Sequence, residues 1–89
     1  MQKRFLCSLL HRGGVIGGTL NIDDMSITYQ TNKLTVEQRL KHLVLPLLEI
    51  QSLTWKSFIF PIATFEMQNG EKYSFIIFNK RKFCQAFQR

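Results

Sequence analysis

The chain is poor in cysteine, proline, tryptophan and acid: two, two, one and six residues among 89. Each scarcity excludes something. Cys7 and Cys84 are too few for a disulfide framework. Both neighbour apolar residues, where a thiol packs as a small hydrophobe, so both are expected to stay reduced. Long apolar runs are also missing. The longest, such as Leu43–Leu48, fall far short of the ~20 residues that a membrane helix needs. The stretch "FLCSLL" after Lys3 and Arg4 is too short for a secretory signal, and no small-residue cleavage site follows it. A cytoplasmic protein, free or peripheral to a membrane, is the expectation. Ordered catalytic partners are scarce too. His11 and His42 have no sequence-adjacent base or nucleophile, and Asp23-Asp24 has the composition of a turn. Cys7, Cys84, His11 and His42 lack metal-ligand spacing. Neither an enzyme nor a cofactor protein is expected.

Positive charge and phenylalanine are plentiful. Twelve Lys and Arg against six Asp and Glu give a net charge of +6. A balance of that size either keeps a small domain soluble or meets an anionic partner: membrane headgroups, nucleic acid or an acidic protein. Hydrophobic residues make up 45% of the chain and eight are Phe, enough for one compact core. A single domain over residues 1–89 follows.

Strand signals recur along the chain. Phe5–His11 alternates with apolar residues on both faces. Arg12-Gly13-Gly14 has turn chemistry, and Val15–Ile22 resumes as a strand with a bulge or a sharp coil, as at a barrel corner, expected at Gly17-Gly18. The "GGVIGG" run is not a phosphate cradle, because no Lys-Ser/Thr and no helix start follows it. "GTLNIDDMSITYQ", Gly18–Gln30, pairs with itself about a two-residue Asp23-Asp24 turn, which sets Ile22 against Met25, Leu20 against Ile27 and Gly18 against Tyr29. An aromatic over a strand glycine covers the space left by the missing side chain.

Lys33–His42 reads as a loop with one helical turn at most, Thr35 and Gln38 having capping-box spacing. Leu43–Leu47 is a strand that Pro46 confines to an edge or a bend, and the apolar phase slips at Leu47-Leu48 to mark a corner. Ile50–Trp55 is the next strand, and Trp55-Lys56-Ser57-Phe58 a connection. A three-residue loop at Gln68-Asn69-Gly70 sorts the last hairpin by type, pairing Phe65 with Tyr73, Ala63 with Phe75, Glu66 with Lys72, Thr64 with Ser74, Ile62 with Ile76 and Phe60 with Phe78. Gly70 is then the left-handed residue. Asn79 is the expected N-cap of a terminal helix carrying Phe83, Ala86 and Phe87 on one stripe, which is to cover the Phe60/Phe78 end of the sheet.

Three motifs, in this order and spacing, carry a resemblance: "GTLNIDDMSITYQ", "LVLPLLEI" at Leu43–Ile50 and "NGEKYSFIIFNKRKFCQAF" at Asn69–Phe87. Together they resemble the pleckstrin-homology (PH) superfamily, in its GRAM-like branch of small bacterial-type modules. The resemblance implies a mainly β domain, a sandwich or barrel of about seven antiparallel strands in two nearly orthogonal sheets capped by one C-terminal α-helix. It implies a non-catalytic binding module for a protein partner or an anionic membrane surface. Lipid-binding members of the family place a basic cluster across the first hairpin; here Lys3, Arg4 and Arg12 precede the turn and Val15–Ile22 carries no basic residue.

The expected contacts follow. Trp55, Lys56 and Phe58, with Leu47 and Leu48 at the corner, are candidates for a membrane or partner. Lys80, Arg81, Lys82 and Arg12 are candidates for an anion. Two other readings stand beside this one. A small basic β-barrel would bind nucleic acid by stacking bases on Phe65, Tyr73 and Phe75, which share a face that also suits a core. A structural homo-oligomer would use Pro46–Leu48 and Trp55–Phe60 as its contact.

Overall fold

The computed structural model describes residues 3–11, 13–32, 40–57 and 59–87. Strand β1 (Lys3–His11) alternates as its sequence requires, with Phe5, Cys7 and Leu9 inward and Leu6 in solvent. It pairs with β2 (Gly14–Ile22) in an unbroken antiparallel register from Lys3↔Ile22 to His11↔Gly14. Of the two features expected at Gly17-Gly18, the bulge is therefore absent from the pairing with β1. Close approach is what Gly18 serves instead. A Cβ there would run into the Gln30 carbonyl oxygen and come within 2.8 Å of Tyr29 Cε1.

Strand β3 (Ser26–Gln30) pairs Ile22 with Ile27 and Leu20 with Tyr29. The tip is thus Asp24-Met25 rather than Asp23-Asp24, and Ile22 does not face Met25. The shift is an even number of residues, so each side chain keeps its face. Local chemistry decides it. The Asp23 carboxylate accepts from the backbone N–H of Met25 and of Ser26, both at 2.8 Å, which leaves Met25 outside at the tip. Tyr29 lies over Gly18, and its hydroxyl donates to the Ile16 carbonyl at 2.8 Å.

The expected loop at Lys33–His42 falls mostly outside the described residues. Where description resumes, Leu40 is buried in the core, and β4 runs His42–Pro46 with β3 on one side only. Leu47 does not extend this strand; it opens a 3-10 turn, Leu47–Glu49. Strand β5 (Ile50–Ser57) then pairs with β6 (Pro61–Met67), from Ile50↔Met67 to Ser57↔Pro61. Trp55, Lys56 and Ser57 therefore belong to a strand, not to a connection. Strand β7 (Lys72–Ile77) pairs with β6 in the expected register, from Glu66↔Lys72 to Ile62↔Ile76, and Gly70 takes φ 91° in the loop.

The strand order is β4-β3-β2-β1-β7-β6-β5, one continuous seven-stranded sheet in place of two separate ones. Its β1–β7 seam runs Cys7↔Ile77 to Leu10↔Ser74. The curl has a simple cause. Strands β4 and β5 are the two edges, yet only Leu47–Glu49 joins them, a span of at most ~14 Å from Pro46 to Ile50. A flat sheet cannot bring its edges that close, so this one bends into a half-barrel. Backbone hydrogen bonds fasten the corner: Leu47 N–H to Met25 O at 2.9 Å, and Gln68 N–H to Glu49 O at 2.9 Å.

Helix α1 (Lys80–Ala86) fills the inside. Asn79 caps it, its side chain accepting from Lys82 N–H at 3.4 Å. Seven residues are too few for a stable isolated helix, so docking holds it. Phe83 is fully buried, with ring centroids 5.3 Å from Phe5, 5.9 Å from Trp55 and 6.1 Å from Phe65. Phe87 stacks on Phe83 at 5.9 Å and lies 5.8 Å from Phe65. The helix thus covers the inner face that bears Phe65. It does not cover the outer Phe60/Phe78 pair, whose rings meet edge to face at 5.2 Å while both remain half exposed.

Candidate functional site

Lys3 and Arg4, at the start of β1, face the first turns of α1 across a groove of about 510 Å³. Phe5, Lys82, Gln85 and Ala86 complete its lining, and none of these described residues is acidic. Arg4 Nε donates to Asn21 Oδ1 at 3.3 Å, which holds the guanidinium at the rim with donors to spare. A smaller hollow of about 270 Å³ shares Arg4 and Phe5 and runs on to Leu6, Phe78 and Asn79. Cationic and apolar surface therefore adjoin.

Strand direction extends this neighbourhood. The start of β1, the ends of β5 and β7, the start of β6 and the start of α1 share one end of the sheet. Lys56 comes from β5, and Lys80, Arg81 and Lys82 from α1. Between them lie uncovered apolar side chains: Ile59 (77% exposed), Leu6 (71%), Phe78 and Phe60. Exposed apolar groups clustered beside cations are the informative departure from an ordinary surface.

The expected contact residues divide between places. Lys82 faces Lys3 and Arg4, while Arg81 is exposed beside it. Lys80 instead sets its Nζ 4.9 Å from the Trp55 ring centroid, a cation–π contact. Trp55 is half-buried between this lysine and Phe83 and is no loop anchor. Lys56 is exposed on β5. Leu47 packs against the core, while its neighbour Leu48 is 88% exposed at the corner, roughly the length of β6 away. Arg12 and Phe58 lie outside the described residues. Phe65 and Phe75 are fully buried, so they are core and offer no face for base stacking.

Sequence reasoning missed Lys3 and Arg4 as partners of Lys82; it had Ile59 and Phe60 only within the Trp55–Phe60 contact of the oligomer reading, and otherwise expected the terminal helix to cover Phe60. The adjacent Lys3-Arg4 pair was visible, but the long-range β1–β7 pairing that brings it to the helix was not.

Three titrating groups are displaced. Burial pushes the Cys7 thiol up to about 12. Cys84 is partly buried and, like Cys7, unbridged. The backbone N–H groups of Met25 and Ser26 hold the Asp23 carboxyl below its usual range. Burial raises Tyr29. Among the described residues, no three His, Cys, Asp or Glu side chains converge as metal donors, and no helix is long and apolar enough to cross a membrane.

The fold defines the class: an antiparallel half-barrel of seven strands closed by a C-terminal helix. The C-terminal domain of an unknown protein from Leishmania infantum has a similar structure, with a TM-score of 0.77 at 11% identity, covering 94% of this chain and 76% of that one. At that identity the likeness is one of fold. No family model matches the chain, and no curated protein does.

Proposed function

We propose that the chain is a non-catalytic interaction module of PH/GRAM type, and that its basic end docks on an anionic membrane surface. Seven antiparallel strands followed by a docked terminal helix support the type. One observation carries the ligand. The cations Lys3, Arg4, Lys56, Lys80, Arg81 and Lys82 gather at the end where Leu6, Ile59, Phe60 and Phe78 are uncovered.

Magnitudes make the combination sufficient. Each Lys or Arg near an anionic bilayer contributes about 1 kcal/mol. Those cations together contribute ~6 kcal/mol if all reach the surface, which lies between millimolar and micromolar affinity. Inserting Ile59 and the exposed parts of Phe60 and Phe78 adds at about 25 cal/mol per Å². A lysine acts as a point charge without a shaped donor fork, and surface charges are screened by salt, so binding is salt-sensitive and indifferent to headgroup type.

Sedimentation with phosphatidylserine vesicles tests this. Binding is expected at low salt, weaker at moderate salt and absent with phosphatidylcholine alone. Lys82→Glu and Phe60→Ser are each expected to reduce it. No sedimentation at low salt removes the membrane as ligand and leaves an acidic protein partner as the module's target.

A further inference from the structure

The turn between β6 and β7 carries a reactive dipeptide. Of the asparagines in the chain, only Asn69 precedes a glycine; the others precede Ile22, Lys33 and Lys80. Asparagine amides are among the thermolabile side chains. Gly70 has no side chain to shield its amide nitrogen, and a Cβ there would meet nothing within 4 Å. Asn69, Gly70 and Glu71 are all exposed, so water reaches both reacting groups.

The same turn ties these groups down. Gly70 N–H donates to the Met67 carbonyl at 3.0 Å, and Met67 N–H donates to the Glu71 carbonyl at 2.8 Å. The Asn69 side chain is held at both ends. Its Oδ1 accepts from Glu71 N–H at 3.0 Å, and its Nδ2 donates to Glu71 Oε1 at 2.9 Å. The other carboxylate oxygen, Oε2, accepts from the Tyr73 hydroxyl at 2.6 Å.

From this arrangement we infer that Asn69 is a site of spontaneous deamidation that the closed turn restrains, so that the modification marks copies whose turn has opened. In the open turn Gly70 N loses its proton to hydroxide and attacks Asn69 Cγ. The N–Cγ bond forms, the Cγ–Nδ2 bond breaks, and the amide nitrogen leaves as ammonia with a proton from water. Water then opens the cyclic imide at either carbonyl, leaving aspartate or isoaspartate at position 69. One water is consumed and one ammonia released, with no change of oxidation state. Attack needs the nitrogen and Cγ aligned at about 3–3.5 Å. The closed turn commits the Gly70 N–H to Met67 and the Asn69 amide to Glu71, so these bonds open first. The product does not fit the turn. An aspartate has no donor for Glu71 Oε1 and sets a second carboxylate where the amide stood, and like charges that close repel. An isoaspartate lengthens the main chain between Met67 and Glu71. The inference is independent of the membrane reading, because the turn follows Met67, at the other end of β6 from Ile59 and Phe60.

Peptide mapping of the full chain, incubated in mildly alkaline buffer with and without denaturing guanidinium, reads conversion at position 69. Conversion should be at least about tenfold slower in the native protein, the ratio that one or two net hydrogen bonds supply. Glu71→Ala leaves Nδ2 without its anchor, so native conversion should rise several-fold while Trp55 fluorescence still reports a folded chain. Tyr73→Phe removes the hydroxyl that holds Oε2 and should accelerate conversion less. If Glu71→Ala does not fold, Tyr73→Phe decides by the same comparison. Asn69→Asp should melt below wild type, and adding Glu71→Gln should recover part of the loss. Native conversion as fast as that in guanidinium overturns the proposal. So does an Asn69 that stays intact in guanidinium, or a folded Glu71→Ala variant that converts no faster than wild type.

Discussion

Phe83→Ala removes the side chain on which the half-barrel closes. Phe83 is fully buried and touches rings from three other elements: Phe5 on β1, Trp55 on β5 and Phe65 on β6. Truncating a buried Phe costs about 3–5 kcal/mol in transfer and cavity terms. At roughly 0.05–0.15 kcal/mol per residue, a chain of this length has about 4–13 kcal/mol in total. One substitution therefore removes between a quarter and all of it. Each kcal/mol lowers the midpoint by about 4–8 °C in a domain this size, so a drop of at least ~12 °C is expected. Urea denaturation followed by Trp55 fluorescence is the assay, since the sole tryptophan packs on the ring being deleted. If the variant does not fold, Phe83→Leu keeps most of the volume and should cost under about 2 kcal/mol. A loss below ~1 kcal/mol in Phe83→Ala would falsify the docked helix.

Phe87 is only half-buried on Phe65 and Phe83, so Phe87→Ala should cost less than Phe83→Ala in the same assay. Adjacent glycines should respond oppositely to alanine. Gly18→Ala drives a Cβ into Tyr29 and the Gln30 carbonyl and should destabilise by about 1–3 kcal/mol, whereas Gly17→Ala has open space and should be neutral or stabilising. In native protein at pH 8, a thiol reagent should label Cys84 ahead of Cys7, which should wait for unfolding. The folded Cys7 thiol keeps its proton up to about 12, whereas an unfolded thiol releases it near 9.0. The folded state therefore binds the extra proton between those values. Stability should fall as pH rises from about 9 to 12, less steeply in Cys7→Ala.

What was legible in the sequence tracks how local the deciding physics is. The β6–β7 hairpin was readable residue by residue, because one register alone matched aromatic with aromatic and Thr64 with Ser74, whose hydroxyls lie 2.9 Å apart. Asn79 and Phe83 announced the helix through capping and a 3.6-residue stripe. The β2–β3 faces were right and the register was not, since pairing by face is blind to an even shift and the Asp23 side chain chose the turn. Trp55–Ser57 looked like a connection because the apolar alternation of Leu53 and Trp55 breaks at Ser57. The break is in composition only, and pairing with β6 carries the strand on to Ser57↔Pro61. The basic groove was least visible. It requires β1 to pair with β7 across more than sixty residues of chain, as in Cys7↔Ile77, and no local pattern encodes that.

The functional account stands on which end of the molecule meets an anionic bilayer. Backbone amide shifts recorded while phosphatidylserine nanodiscs are titrated into the labelled protein report this directly. The account predicts changes concentrated at Lys3–Leu6, Lys56, Ile59-Phe60 and Phe78–Lys82, with Leu47–Glu49 and Gln68–Gly70, at the far end of β6, unmoved. Changes centred on Leu47–Glu49, or none anywhere at low salt, would contradict it.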